Sequence, residues 1–312
     1  MVLIYMILIF SNTKSSVLEE FTEKFKKRTD IKIALLVFEE FIKNGNFWAD
    51  FRGKEKNTFC IDLDGTNNNV ISLNDVKICY FSGSPYILPK WFEFEDKKDC
   101  EYAGKEWYSS VNSLFLTQPH LKLINPVTKY SNFNSEYEQS LFFKKFEIEC
   151  CEMLVTNNKY DVLEYYDLWN KNVLYKSVNM GYDSSSILQV PDLGRLDKLK
   201  YCPALFQKLQ AGIQLSICII GNDFLSLEVD ENQNTSVTDI PNILKEKLIK
   251  LSKHFNSPLI QFNFLYDSID NEYYAYSFNI YNYFESLYTL FGDPFQNKLI
   301  EYLEKEYKNC FS

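Results

Sequence analysis

The sequence predicts an α/β fold, and three observations carry that prediction. The chain opens strand, helix, strand; its later apolar runs switch between strand-length and helix-length patterns; and hydrophobic residues make up 46% of the 312, with aromatics at 17%. Such a composition supports a packed core and excludes a disordered chain. There are 42 acidic residues against 33 Lys and Arg, a net charge of -9. Phosphate-backbone affinity needs clustered cations, so general nucleic-acid binding is excluded.

Residues 1–10 (MVLIYMILIF) read as a buried strand. The run is shorter than the about 20 residues of a membrane span, has no basic flank, and is followed by no small-residue cleavage site. Met6 is an alternative start, because MILIF followed by Ser11-Asn12-Thr13 already makes a strand and turn. Residues 15–28 (SSVLEEFTEKFKKR) space Val17, Leu18, Phe21 and Phe25 for one helical face, with acids early and cations late. Residues 31–38 (IKIALLVF) form a second strand, which makes the opening a parallel α/β unit. Strands follow at 57–63, 70–73 and 76–81, and a helix at 102–116. Asn125-Pro126 marks a boundary. Beyond it come a helix at 135–146, short strands at 153–156 and 173–176, a Gly/Ser stretch at 181–186, and strands between 204 and 229. A helix at 243–255, strands at 259–266 and 273–280, and a terminal helix from Pro294 to about Tyr307 complete the chain.

The eight cysteines lack CxxC spacing and sit mostly in apolar runs, which predicts free thiols in a reducing, cytoplasmic setting. Only His120 and His254 are available as imidazoles, too few for a His-rich zinc site, and neither has the surroundings of a Ser-His-Asp triad.

Residues 59–66 (FCIDLDGT) match the Asp-x-Asp-Gly-Thr of haloacid-dehalogenase phosphatases, in which Asp62 would attack phosphorus and Asp64 would handle the proton. Two elements precede the motif, three Asn follow it, and Gly292-Asp293-Pro294 is the nearest downstream metal motif, with no second Asp. The plainer reading is a hairpin turning at Asp64-Gly65.

A series of blocks carries a broader signal: YAGKEWYSSVNSLFL from Tyr102, LINP at 123–126, QSLFFKKFEIECCEMLVTNN from Gln139, VLYKSV from Val173, CPALFQKLQ from Cys202 and QLSICIIGND from Gln214. In this order and spacing the chain resembles the RimK-like ATP-grasp ligases, especially the branch that matures ribosomally made peptides: microviridin- and graspetide-type ligases and grasp-with-SPASM maturases. The opening MILIFSN and VISLNDVKICYF (70–81) are similar to that branch's N-terminal domain. The resemblance implies an N-terminal α/β domain over 1–125 and an ATP-grasp domain over 126–312, divided into a central lid (126–200) and a C-terminal part (201–312).

It also implies ATP and Mg²⁺ as cofactors and a precursor or leader peptide as partner, with phosphoryl transfer to a carboxylate followed by attack of an amine or hydroxyl. Lys176 falls where the family's strand lysine faces the phosphates, and Gln207, Lys208 and Leu209 fall on the hinge that contacts adenine. Departures cluster at charged positions. Glu136 or a neighbour stands where a phosphate-facing helix Lys is expected, and an anion there repels phosphate. Gln214-Leu215-Ser216 replaces Glu-Leu-Arg. The metal-binding Asp becomes Asn263, and Glu-x-Asn becomes Ser277-Phe278-Asn279, leaving Asn263 and Asn279 as neutral metal ligands. Asp267, Asp270, Glu272 and Glu285 are nearby substitutes. Ser82-Gly83-Ser84 stands where the branch commonly has Arg residues, directly after the 76–81 strand. The aromatic run from Tyr273 to Phe284 reads either as a peptide-binding face or as strand alternation packing half of it inward. Two functions follow: an ATP-dependent carboxylate–amine or carboxylate–hydroxyl ligase acting on a peptide, or a degenerate grasp protein that binds a peptide or partner without catalysis.

Overall fold

The structure, a computed structural model, describes residues 5–50, 58–83, 96–125, 135–178, 185–230, 235–280 and 284–311. Residues 1–4, Ser84, the Pro85–Pro89 loop, most of the Gly/Ser stretch, Tyr281 and Tyr283 therefore lie outside the described residues. β1 (Met6–Ser11) pairs in parallel with β2 (Lys32–Val37) and β6 (Val76–Ser82), and β6 pairs in parallel with β7 (Lys122–Ile124). The sheet order is β2-β1-β6-β7. Its crossover helix α1 (Ser16–Arg28) starts at Ser15, whose hydroxyl accepts from the Leu18 amide. Leu18, Phe21 and Phe25 are fully buried, each contributing roughly 1.5–3 kcal/mol of apolar burial.

The apolar run predicted as one strand to residue 38 ends at Val37, and Phe38 begins α2 (Phe38–Asn44). β3 (Asn46–Asp50), β4 (Thr58–Asp62) and β5 (Val70–Ser72) form a small antiparallel sheet that covers the other face of the parallel one. α3 (Lys97–Leu116) begins a turn earlier than predicted because Asp96 caps it, accepting from the Lys98 amide at 2.8 Å.

Two further antiparallel sheets follow. The central sheet runs β10-β9-β11-β8, from β8 (Met153–Thr156), β9 (Val173–Lys176), β10 (Ser185–Ile187) and β11 (Ala204–Lys208). The C-terminal sheet runs β14-β13-β12-β15-β16, from β12 (Ile213–Ile220), β13 (Asp223–Val229), β14 (Thr235–Val237), β15 (Leu259–Asp267) and β16 (Glu272–Asn279). One face of the latter packs on α4 (Glu136–Lys145) and α7 (Asn242–Phe255) through Phe143, Leu248, Phe255, Phe262 and Phe278. α5 (Lys159–Leu168) and the one-turn α6 (Val190–Leu193) cover the central sheet.

The last helical element, α8 (Phe284–Asn309), is two helices joined at Gly292, whose φ of 62° and ψ of -148° are not helical; the second holds the predicted terminal helix from Pro294, and the first, from Phe284, was not predicted. Its Phe284, Leu287, Phe295, Leu299 and Leu303 join Ile7 and Ile9 of the parallel sheet and Phe21 of α1 to Cys218 and Ile220 of the C-terminal sheet in one core. Among the described residues no helix is long and apolar enough to cross a membrane.

Candidate functional site

β12, β15 and β16 lie side by side, and their register aligns Ser216 with Asn263 and Asn263 with Ser277. Flanking residues on these strands, Leu215, Ile217, Phe262, Phe264 and Phe278, belong to the core on the opposite face. Strand alternation therefore sends Ser216, Gln261 and Asn263 to the other side. There they form one hydrogen-bonded row: Ser216 Oγ donates to Asn263 Oδ1 at 3.2 Å, Gln261 Nε2 donates to Ser216 Oγ at 2.9 Å, and Asn263 Nδ2 donates to Ser277 Oγ at 2.9 Å. Positions where the resemblance calls for Arg, Asp and Glu thus carry an uncharged, mutually satisfied set. Asn279, exposed at the end of β16, aligns with Gln261.

Next to Ser277, β16 carries a bulge. Asn263 pairs with Ser277 and Phe264 with Ala275, so Tyr276 has no partner in the register. A bulge re-aims side chains, and it breaks the even alternation predicted for the aromatic run. Tyr276 lies near Glu136 and Cys151; burial first, then the charge of Glu136, pushes its hydroxyl up to about 12. Burial likewise pushes the Cys151 thiol up to about 11, opposed by a hydrogen bond from Gln207.

Lys176, the last residue of β9, meets Glu136 in the first turn of α4, and the two form an ion pair. Their side chains are 15% and 18% exposed. The two positions singled out for opposite reasons in the sequence, the expected phosphate lysine and the unexpected acid, therefore neutralise each other. α4 is itself fixed: Ser135 caps it by accepting from the Glu138 amide at 3.2 Å. Gln139 Nε2 donates to the Phe278 carbonyl and its Oε1 accepts from the Phe278 amide, both at 2.8 Å and both buried. Gln139, Cys151 and Tyr276 are members of this site that the sequence did not reveal. Gln139 opens a quoted block, but nothing in its neighbours marks it as a main-chain clamp.

At the hinge, the amides of Lys208 and Leu209 donate to the carbonyls of Glu152 at 3.0 Å and Asn172 at 2.9 Å. Lys208 Nζ pairs with Glu152 at 2.7 Å. That hydrogen bond holds the Glu152 carboxyl below, and the Lys208 ammonium above, their usual values. Gln207 is buried, and its Oε1 has no hydrogen-bond partner among the described residues.

The substitute carboxylates are engaged elsewhere. Asp267 accepts from the amides of Ile269 and Asp270 and from Gln210 Nε2, which lowers its carboxyl and closes the β15–β16 turn. Asp270 and Glu272 are exposed on that same turn. Glu285 lies in the first turn of α8, beside the buried Tyr80. Ser82 Oγ accepts from the Phe284 amide at 3.0 Å and so starts α8. Among the described residues no cluster of three or more His, Cys, Asp or Glu is placed to hold a metal. The residues present do not fit a magnesium–nucleotide complex: the row on the C-terminal sheet offers Mg²⁺ no compensating charge, and Lys176, the lysine that the resemblance assigns to the phosphates, is already paired.

Asp62 and Asp64 serve a loop. Asp62 Oδ2 accepts from the Asn67 amide at 3.0 Å, and Asp64 accepts from the Thr66 amide at 3.0 Å, from the Thr66 hydroxyl at 2.6 Å and from Asn69. Gly65 adopts φ of +74°, and a Cβ there would meet the Asn44 carbonyl oxygen at 2.1 Å. β4 and β5 are antiparallel, so this is a hairpin connection and not the end of a parallel strand. His120 contacts the Leu73 carbonyl and His254 stacks among Phe142, Phe146 and Phe255; neither joins the site.

A parallel α/β unit followed by two antiparallel sheets is the architecture of the ATP-grasp fold. Solved structures agree over nearly the whole chain. The macrocyclase MdnC bound with precursor peptide MdnA, from Microcystis aeruginosa MRC, has a TM-score of 0.80 at 17% identity, covering 95% of this chain and 98% of that one. A RiPP-associated ATP-grasp ligase of Chryseobacterium gregarium, in complex with ADP and a leader and core peptide, has a TM-score of 0.81 at 18% identity, covering 96% and 97%. The ATP-grasp ligase PsnB, complexed with a minimal precursor, Mg and ADP, has a TM-score of 0.73 at 15% identity, covering 96% and 98%. No family model matches the chain, and no curated protein does. At these identities the likeness establishes the fold.

Proposed function

We propose that this chain is a peptide-binding protein of the ATP-grasp fold that has given up magnesium–nucleotide chemistry. The observation that carries the reading is the Ser216–Asn263–Ser277 row: three adjacent strands carry an uncharged, internally hydrogen-bonded set at the positions for which the resemblance calls for a cation and two carboxylates. Metal-assisted phosphoryl transfer depends on charge placed in advance at the reacting oxygens. Neutral amides and hydroxyls bonded to one another do not supply it.

Peptide binding is inferred from the fold neighbours, which were solved with precursor, leader or core peptides. The partner is accordingly a short precursor or leader peptide, held without ATP or Mg²⁺. The ligase reading keeps one specific support, the retention of Lys176 at the inner end of β9, and would need a metal site drawn from carboxylates outside the row.

The test pairs the chain with the precursor, leader and core peptides of the structural neighbours, and with any short peptide found encoded beside its own gene. Fluorescence anisotropy without nucleotide is expected to show binding, and mass spectrometry after incubation with Mg²⁺ and ATP is expected to show the peptide unchanged. Loss of water from the peptide that requires ATP and Lys176 would establish the ligase instead.

A further inference from the structure

We infer that Glu136 is a built-in anion for the phosphate-facing lysine, and that the Glu136–Lys176 pair latches the central sheet to the body of the molecule without any nucleotide. The inference deepens the proposed function and takes from it only the position of Lys176.

Three observations meet in it. Glu136 projects from a helix that cannot drift, because Gln139 two-point bonds the Phe278 main chain and Phe143 packs against Phe278 and Phe264 with ring centroids 5.5 and 6.4 Å apart. Lys176 belongs to the central sheet, in register with Leu205 of β11 and Ser185 of β10. Among the described residues, the ion pairs of Lys159, Arg195 and Lys208 stay within 152–208. The Glu136–Lys176 pair instead crosses from α4, anchored on β16, to β9. Both side chains are largely enclosed, where an unpaired charge is costly and a paired one is weakly screened by salt. A polyphosphate entering here would have to displace a carboxylate and then face it. Glu136 thus does for Lys176 what a phosphate group does elsewhere on this fold, and the two sheets are held as if loaded.

Hydrogen exchange and calorimetry test this without magnesium or ATP. Inorganic tripolyphosphate is the anionic probe, and the chains compared are wild type, Glu136→Gln and the swapped pair Glu136→Lys/Lys176→Glu. Wild type is expected to bind no tripolyphosphate and to protect β9 and β11. Glu136→Gln is expected to bind it and to exchange β9 and β11 amides about tenfold faster, the loss of one coupled contact. The swapped pair is expected to regain the protection. Unchanged exchange in Glu136→Gln would overturn the latch, and so would a loss of protection that the swap does not recover. Tripolyphosphate binding by wild type as tight as by Glu136→Gln would overturn the role of internal anion. Failure of the proposed function is separate: it would appear as Mg²⁺-dependent ATP binding or peptide dehydration by wild type, neither of which this comparison reads.

Discussion

Single residues decide what this site does, and the changes are matched to one another. A Glu at 277 beside Asn263 would leave a carboxylate facing a neutral partner. Instead Ser216, Asn263 and Ser277 satisfy one another, and Glu136 satisfies Lys176. The identities of all five were legible in the sequence; their mutual bonding was not, because it depends on strand register and on where α4 meets β9. Tyr276 offers a spectroscopic check. Its hydroxyl is held above the usual 10.0 at about 12, so the folded state keeps a proton that the unfolded state has lost. Stability from this group is therefore complete below pH 10 and lost as pH rises towards 12, with a slope of up to about 1.4 kcal/mol per pH unit. Tyr276→Phe should remove that increment from the alkaline limb of urea denaturation curves and leave neutral pH little changed; identical alkaline limbs would show that Tyr276 is not buried beside Glu136. Thiol chemistry provides a second check. Cys202 is exposed while Cys79, Cys151 and Cys218 are buried, with thiols raised by that burial. Iodoacetamide at pH 8 is expected to modify Cys202 well before those three, as read by peptide mass spectrometry.

At the scale of elements, the strongly periodic segments were readable and the short or kinked ones were not. α1 and α7 announce themselves through apolar spacing, and β12, β15 and β16 through strand-length runs. α2 was hidden because it continues the apolar run of β2 without a capping side chain, its N-cap being Val37. The first half of α8, from Phe284 to the break at Gly292, was hidden because it follows directly on the aromatic run read as strand. That bend has a price in sequence freedom: φ of 62° with ψ of -148° is a region that residues with a Cβ avoid. Gly292→Ala should therefore lower unfolding free energy by about 1–3 kcal/mol, measured by urea denaturation; no change would mean that α8 tolerates another path. The α4–β16 clamp is a second element-level device. Gln139→Ala strands both the amide and the carbonyl of Phe278 in a buried setting, an expected loss of about 2–4 kcal/mol. It should also raise exchange in β9, since Glu136 would lose its fixed base.

Across the whole molecule, one core joins the parallel sheet to the C-terminal sheet through α8, with Lys24–Asp293 and Arg28–Glu301 pairs at 3.1 and 2.7 Å along its contact with α1. The central sheet stands apart with its own small core around Val162, Trp169 and Phe206, so contacts that cross to it weigh heavily on its position. The fold itself was legible because an ordered series of weak blocks spans nearly the whole chain; the departures from the charged positions of the resemblance were legible only one by one until the sheets placed them together. The most direct test of the proposed loss of magnesium–nucleotide chemistry is calorimetric titration of the wild-type chain with ATP at millimolar concentration, with and without Mg²⁺, alongside Lys176→Ala. Heats at the level of dilution in all cases are predicted, and tight Mg²⁺-dependent binding that Lys176→Ala abolishes would contradict the account.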